Sequence, residues 1–364
     1  MASHYKEFIN SSDSNSFCFM PTVNISTFGY INQTLKYPQV APLSDWIGSD
    51  GKWFALAINF LLCFFGMAVN GLIGVVSIKD KVLRSENITP AIISLLGANF
   101  LYCLTGLFYY LLFSFSSDFT FQVQIVCKLI AAFAYGLAIC SIFNIFGIGL
   151  CKFIRLYFLT NVKEENFRRA CTFVAGLAWI ASFVVSFPTA IGRWGQIHFE
   201  CNSRFCAIIN VNADGSHTGY SVATIYYSSY IVIGILNILL NIAIYYKIQN
   251  SIKTIKTKAF CFQDKNLSAV MTMKYMKTEW RVVKIMGLAG VLYVIFPIPR
   301  AILFILEPYA RTTIERLSKA TLTLWGLTAM IEPILLLIFQ EKYRTAIKKI
   351  LNVTYSSTKN KFTT

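Results

Sequence analysis

Seven long apolar blocks run along the chain, separated by shorter polar and charged segments. They are Trp53–Ile78, Thr89–Phe113, Gln124–Leu150, Ala170–Ile191, Gly219–Tyr246, Trp280–Leu306 and Ala320–Phe339. A helix needs about 20 mainly apolar residues to cross a bilayer. Backbone groups in lipid must be bonded within the segment, so each block is predicted to be an α-helix. Thr89-Pro90 predicts an N-cap followed by proline at the first helical position. Pro188 near the end of the fourth block, and Pro297 and Pro299 in the sixth, predict kinks. Beyond the seventh block, Phe339, Tyr343, Ile347 and Leu351 recur at every fourth position, with Lys342, Lys348 and Lys349 on the other side. That spacing predicts an amphipathic helix lying on the inner leaflet. The expected fold class is therefore an all-α membrane protein, a seven-transmembrane helix bundle with a short amphipathic surface helix after the seventh span. The pattern divides the chain into a flexible extracellular segment 1–52, a seven-span domain 53–339, and an amphipathic helix with a cytoplasmic tail, 340–364.

Composition agrees: 55% of the 364 residues are hydrophobic and only 14% charged, too little charge to coat a soluble domain. The formal net charge of +16 raises the question of nucleic acid. With the N-terminus outside, 23 of the 33 Lys and Arg residues fall in the inner segments. This is the charge bias of a membrane topology, and it attracts anionic membrane lipids. No groove-reading or stacking module accompanies the charge, so nucleic acid is not an expected partner. Residues 1–20 hold no apolar core, and the first span is expected to insert as its own signal. Glycosylation sequons at Asn10, Asn24 and Asn32 fall on the outer side, whereas Asn87, Asn266 and Asn352 fall on the inner side.

Four of the ten cysteines, Cys18, Cys127, Cys201 and Cys206, are expected outside, where disulfides persist; four cysteines allow three pairings. Cys63, Cys103 and Cys140 lie inside spans and are expected to pack, while Cys151, Cys171 and Cys261 face the cytosol.

Short motifs recur in nearly every span. The first holds Gly66-Met-Ala-Val-Asn70, and the second Ser94-Leu-Leu-Gly-Ala-Asn99 after Leu83-Arg84 in the loop. The third begins with Cys127, the fourth has Trp179 and Pro188, the sixth Pro297, and the seventh Glu332-Pro333 before the surface helix. In this order and spacing, from about Gly66 to Leu351, the chain resembles the rhodopsin-like family of G-protein-coupled receptors. Gly192-Arg-Trp-Gly195, Phe205-Cys206-Ala-Ile-Ile and Asn212-Ala-Asp-Gly215 are similar to the second outer loop of melatonin-like receptors and of the insect Moody and Trapped-in-endoderm receptors.

The resemblance implies a receptor in the plasma membrane that binds an extracellular small ligand or peptide and signals to a heterotrimeric G protein by helix rearrangement. It implies a Cys127–Cys206 disulfide, which leaves Cys18–Cys201 as the remaining pair. It places Lys152, Arg155, Tyr245 and Lys284 toward the G protein. The chain also departs from the family pattern. Cys151-Lys152-Phe153 stands in place of Asp-Arg-Tyr, Ile295 replaces the aromatic before the span-six proline, and Asn237 stands where span five carries proline. Arg presents a planar fork of donors and Lys a point charge, so Lys152 is not an equivalent substitute.

Glu332 is an ionisable residue within a span, where a charge costs several kcal/mol unless paired or hydrated. The family carries its carboxylate on span two and an amide on span seven; here Asn99 and Glu332 are exchanged. With Asn70, Ser141 and Pro333 they form the expected switch cluster; a protonated glutamic acid that is merely hydrogen-bonded is the plainer reading. Near the outer ends, Lys128, Tyr135, Tyr226, Tyr227, Arg300 and Trp325, with Tyr109 and Tyr110, are expected to line a ligand pocket. The two cations would favour an acidic ligand, unless they only reach to the interface. Ala134 stands where amine receptors of the family carry Asp, which disfavours a biogenic amine.

Catalytic motifs are absent from the sequence, the histidines are only His4, His198 and His217, and neither an enzyme activity, a cofactor nor a metal is expected. Two alternatives accompany the receptor reading: a receptor-derived membrane protein that does not signal, and a transporter or channel using Glu332 and Lys152 as a relay. The halves show no inverted repeat, which weighs against a transporter.

Overall fold

The computed structural model describes residues 52–115, 121–158, 163–190, 196–200, 205–209, 222–261 and 327–350, together with parts of 280–302. Five helices are long and apolar enough to cross a membrane: α1 (Lys52–Lys79), α3 (Thr89–Phe115), α4 (Phe121–Tyr157), α5 (Glu164–Ala190) and α6 (Val222–Cys261). A single-turn helix, α2 (Lys81–Ser85), lies in the loop between α1 and α3. Two shorter apolar helices, α7 (Val283–Ile295) and α8 (Leu327–Phe339), stand at the sixth and seventh blocks. A final helix, α9, covers 341–350. Many large apolar side chains point outward, among them Phe64, Leu72, Phe173, Ile180, Val184 and Leu239. On a soluble protein such a surface would aggregate, whereas around a bundle in lipid it is the solvated face.

The helices overrun the apolar blocks. α4 continues past Leu150 to Tyr157, and α6 past Tyr246 to Cys261. Hydropathy marks the edge of the bilayer rather than the end of the helix. Residues such as Gln249 and Lys253 are good helix formers once the chain emerges into water.

α4 is the central element, packing against α3, α5, α6 and an antiparallel hairpin. The hairpin was not expected from the sequence. Its strands, β1 (Gln196–Glu200) and β2 (Phe205–Ile209), pair with Phe199 opposite Cys206. The alternation of Gln196-Ile197-His198-Phe199-Glu200 was the available signal, since a period of two turns one face inward. Ile197 is fully buried in a cluster with Tyr109, Cys127 and Cys206. α1 and α3 approach closely through two reciprocal glycines. A Cβ on Gly66 would lie 2.6 Å from Cys103 Sγ, and one on Gly106 would lie 2.7 Å from Cys63 Sγ.

At the inner side, Asp80 caps α2 by accepting from the Val82 and Leu83 amides at 2.9 and 3.1 Å. Thr89 does not act as the expected N-cap acceptor; its hydroxyl donates to Leu83 O at 2.6 Å, satisfying a carbonyl of the α2 turn. α9 docks on this corner. Tyr343 and Ala346 are buried, Arg344, Lys348 and Lys349 are exposed, and Lys342 pairs with Glu86 of the first inner loop. Burial raises the pKa of the Tyr343 hydroxyl above its ordinary value. Arg344 donates to Leu337 O at 2.9 Å, satisfying a carbonyl at the end of α8.

Candidate functional site

In the bundle core, Asn99 on α3, Ser141 on α4 and Glu332 on α8 meet. Asn99 Nδ2 donates to Glu332 Oε2 at 2.5 Å, and Ser141 Oγ donates to Asn99 Oδ1 at 2.6 Å. All three are buried, with Glu332 only 3% exposed. Tyr293 on α7 interacts with both Glu332 and Thr328 of α8, and its ring stacks on Tyr230 of α6 at 6.2 Å. The cluster thus spans five helices.

Asn70 takes a related place at one remove. Pro333 has no amide proton, so Ala329 O, four residues earlier, loses its helical partner. Asn70 Nδ2 fills that vacancy at 2.8 Å and also donates to Gly66 O at 2.8 Å. It therefore ties α1 to α8 beside Glu332 through the backbone. Trp179 on α5 donates to Ser94 on α3 at 2.9 Å, below this layer.

Toward the outer side, a cavity of about 90 Å³ opens between α1, α3, α4 and the hairpin. Tyr109, Tyr110, Tyr135 and Ala134 line it, together with Asn59, Cys63, Tyr102, Cys103 and Thr105, whose place here no motif in the sequence marks. The hairpin closes one side: Cys127 and Cys206 are joined by a disulfide, and the Cys206 amide donates to Tyr109 Oη at 2.8 Å. Lys128 does not line this cavity; it sits half-buried one position beyond the disulfide on α4. The side chains of Tyr226 and Tyr227, and Arg300 and Trp325 altogether, lie outside the described residues. So do Cys18 and Cys201, and the sequons Asn10, Asn24 and Asn32.

At the inner end, the four residues expected to face a G protein are not equally placed. Lys152 is 4% exposed in this packing. Helix α4 is enclosed there by α5, which buries Cys151 against Phe167 and Cys171, and by α6, which packs Ile244 and Ile248 near Phe153 and Leu156. Arg155 turns toward the inner loops, 3.6 Å from Glu164 and 4.7 Å above the Phe167 ring. Tyr245 packs on Trp280 with ring centroids 4.6 Å apart, and exposed Lys284 lies 5.0 Å above the same indole. The Tyr157 hydroxyl donates to Ala243 O at 3.0 Å, linking α4 to α6. In this arrangement the inner ends of α4, α6 and α7 are packed together.

The sequence matches the family described as 7 transmembrane receptor (rhodopsin family) over residues 69–336. The chain belongs to the rhodopsin family of seven-transmembrane receptors. That family is a class of receptors and not of enzymes, and this member is a multi-pass membrane protein. The protein described as G-protein coupled receptor moody from Drosophila pseudoobscura pseudoobscura is 24% identical over 180 residues, covering 49% of this chain. Its counterpart from Drosophila melanogaster gives the same identity over the same length. The match spans only 26% of either relative. The crystal structure of squid rhodopsin superposes with a TM-score of 0.66 at 16% identity, covering 87% of this chain and 91% of that one. At that identity the likeness concerns the fold.

Proposed function

We propose that this rhodopsin-family chain sits in the plasma membrane with its N-terminus outside, binds an extracellular small molecule or peptide, and signals to a heterotrimeric G protein. The observation that carries the reading is the buried Asn99–Ser141–Glu332 cluster, which links α3, α4 and α8 between an outer cavity and a closed inner end. Hydrogen bonds between helices can exchange partners, so such a layer supports two discrete packings that a ligand could bias. The basic inner loops and α9 supply the surface for the G protein and for anionic lipid.

The experiment is a ligand-library screen on surface-displayed receptor, reading cAMP, calcium and arrestin together. The expected result is a ligand that drives at least one output, weakened by Glu332→Ala. A second reading, a receptor-derived membrane protein that does not signal, is favoured by the buried Lys152 in its Cys151-Lys152-Phe153 setting. Silence in all three outputs, persisting in a variant whose inner contact is opened by Trp280→Ala, would leave that second reading standing.

A further inference from the structure

We propose that Cys151 on α4 and Cys171 on α5 are a redox-sensitive dithiol, which hydrogen peroxide converts into a disulfide that ties the inner ends of the two helices together. Both cysteines are free thiols and both are buried. They pack together beside Phe167, and their side chains hydrogen-bond to each other. A disulfide needs Cβ atoms about 3.5–4.5 Å apart, which helices reach only at a close crossing. Such a crossing lies one turn away: a Cβ on Gly147 would stand 2.6 Å from Val174 Cγ1. The corner is also electropositive. Lys152 follows Cys151 in the chain, and both Lys152 and Arg155 act electrostatically on Cys171. Glu164, 3.6 Å from Arg155, offsets part of that charge. Positive charge beside a thiol supports the thiolate that attacks an oxidant.

The expected topology puts the pair on the cytosolic side, where thiols rest reduced and a disulfide forms transiently under oxidation. Burial keeps bulky reagents such as oxidised glutathione away, whereas peroxide is small and uncharged. The Arg155 and Glu164 side chains, 26% and 77% exposed, bring water to within about a turn of Cys151. One thiolate attacks a peroxide oxygen, the O–O bond breaks, and hydroxide leaves as the sulfur becomes a sulfenic acid. The proton that the first thiol released converts the hydroxide to water. The second thiol then attacks the oxidised sulfur: the S–S bond forms, the S–O bond breaks, and a second water departs with the second thiol's proton. Two thiols and one peroxide thus give one disulfide and two waters, and the peroxide takes up the two electrons that the sulfurs lose. With the bridge formed, α5 cannot part from α4, so Lys152 keeps one of the two helices that bury it.

The test treats membranes holding the full-length chain with hydrogen peroxide, blocks the remaining thiols with N-ethylmaleimide, and maps the cysteines by tandem mass spectrometry. A Cys151–Cys171 bridged peptide should accumulate and disappear on treatment with dithiothreitol. Cys140, on the same helix but hydrogen-bonded to Asn144, should oxidise roughly tenfold more slowly or not at all. In Cys171→Ser, peroxide should leave Cys151 as a sulfenic acid that dimedone traps, with no bridge. Oxidation should also raise the melting temperature of the parent in detergent and leave that of the variant unraised. If the variant fails to fold, the bridged peptide in the parent decides. Absence of that peptide, oxidation of Cys140 as fast as the pair, or a bridge from Cys151 to another cysteine would each overturn the proposal. No signalling is measured, so the dithiol can fail while coupling to a G protein stands, and the reverse.

Discussion

Asn70 and Glu332 each solve a problem created by burying polar atoms among helices. Pro333 frees a carbonyl and Asn70 caps it, so Asn70→Leu leaves Ala329 O unpaired. An orphaned buried acceptor costs about 1–3 kcal/mol. The variant should therefore melt several degrees lower in detergent; an unchanged melting temperature would show that the bond contributes nothing. Glu332 and Asn99 are tested as a pair. Asn99→Asp with Glu332→Asn keeps one carboxylate and one amide between α3 and α8, and it should retain more stability than the single changes predict by addition. The coupling for contacting residues is about 0.5–3 kcal/mol. Strict additivity would contradict the 2.5 Å contact. The pairing itself was readable from the order of residues along the chain, because the exchanged positions were visible against the family pattern. Tyr293 and Thr328 were not, since a phenol or hydroxyl in a span carries no mark of which helix it will face.

The inner ends of α4, α6 and α7 meet through rings and aliphatic side chains. Trp280 packs on Tyr245, and both join Ile244, Ile248 and Val283 with Phe153 of α4. An aromatic pair contributes about 0.5–1.5 kcal/mol beyond the area it buries. Trp280→Ala should accordingly open the inner half of α6, seen as faster hydrogen–deuterium exchange at residues 244–252. Lys284→Ala, which keeps the ring, should leave exchange there unchanged. Equal exchange in the Trp280 variant and the parent would sink this account of the closed inner end. Lys152 replaces an arginine of the family that would mark this surface, yet burial of a side chain depends on its neighbours. α4 overruns its apolar block, and α5 and α6 then cover Lys152.

For the whole molecule, orientation and bridging can be tested together. A tag on the N-terminus should stain intact cells, and glycosidase should sharpen the band through Asn10, Asn24 and Asn32. Staining only after permeabilisation would reverse the topology. Cys206→Ala should abolish surface delivery. Loss of a bridge that closes a long loop costs roughly 2–4 kcal/mol, and the cavity beside Tyr109 would lose its wall. Cys201→Ala should be milder; the opposite ranking would show that the wrong loop cysteine holds the hairpin.

Seven apolar blocks determine the number of spans, and the one-sided Lys and Arg residues give the expected topology, because the bilayer is a solvent that reads length and charge one segment at a time. The amphipathic period after Phe339 settles α9 for the same reason, and Tyr343 and Ala346 do turn inward. Contacts between segments follow a different rule. The hairpin, the reciprocal seating of Cys63 and Cys103 against Gly106 and Gly66, the burial of Lys152 and the aromatic lining of the outer cavity arise only when helices distant in the chain pack. Lipid-facing and bundle-facing positions are both apolar, so hydropathy cannot distinguish them. Steric fit between neighbouring helices makes that distinction, and it requires all of them in place.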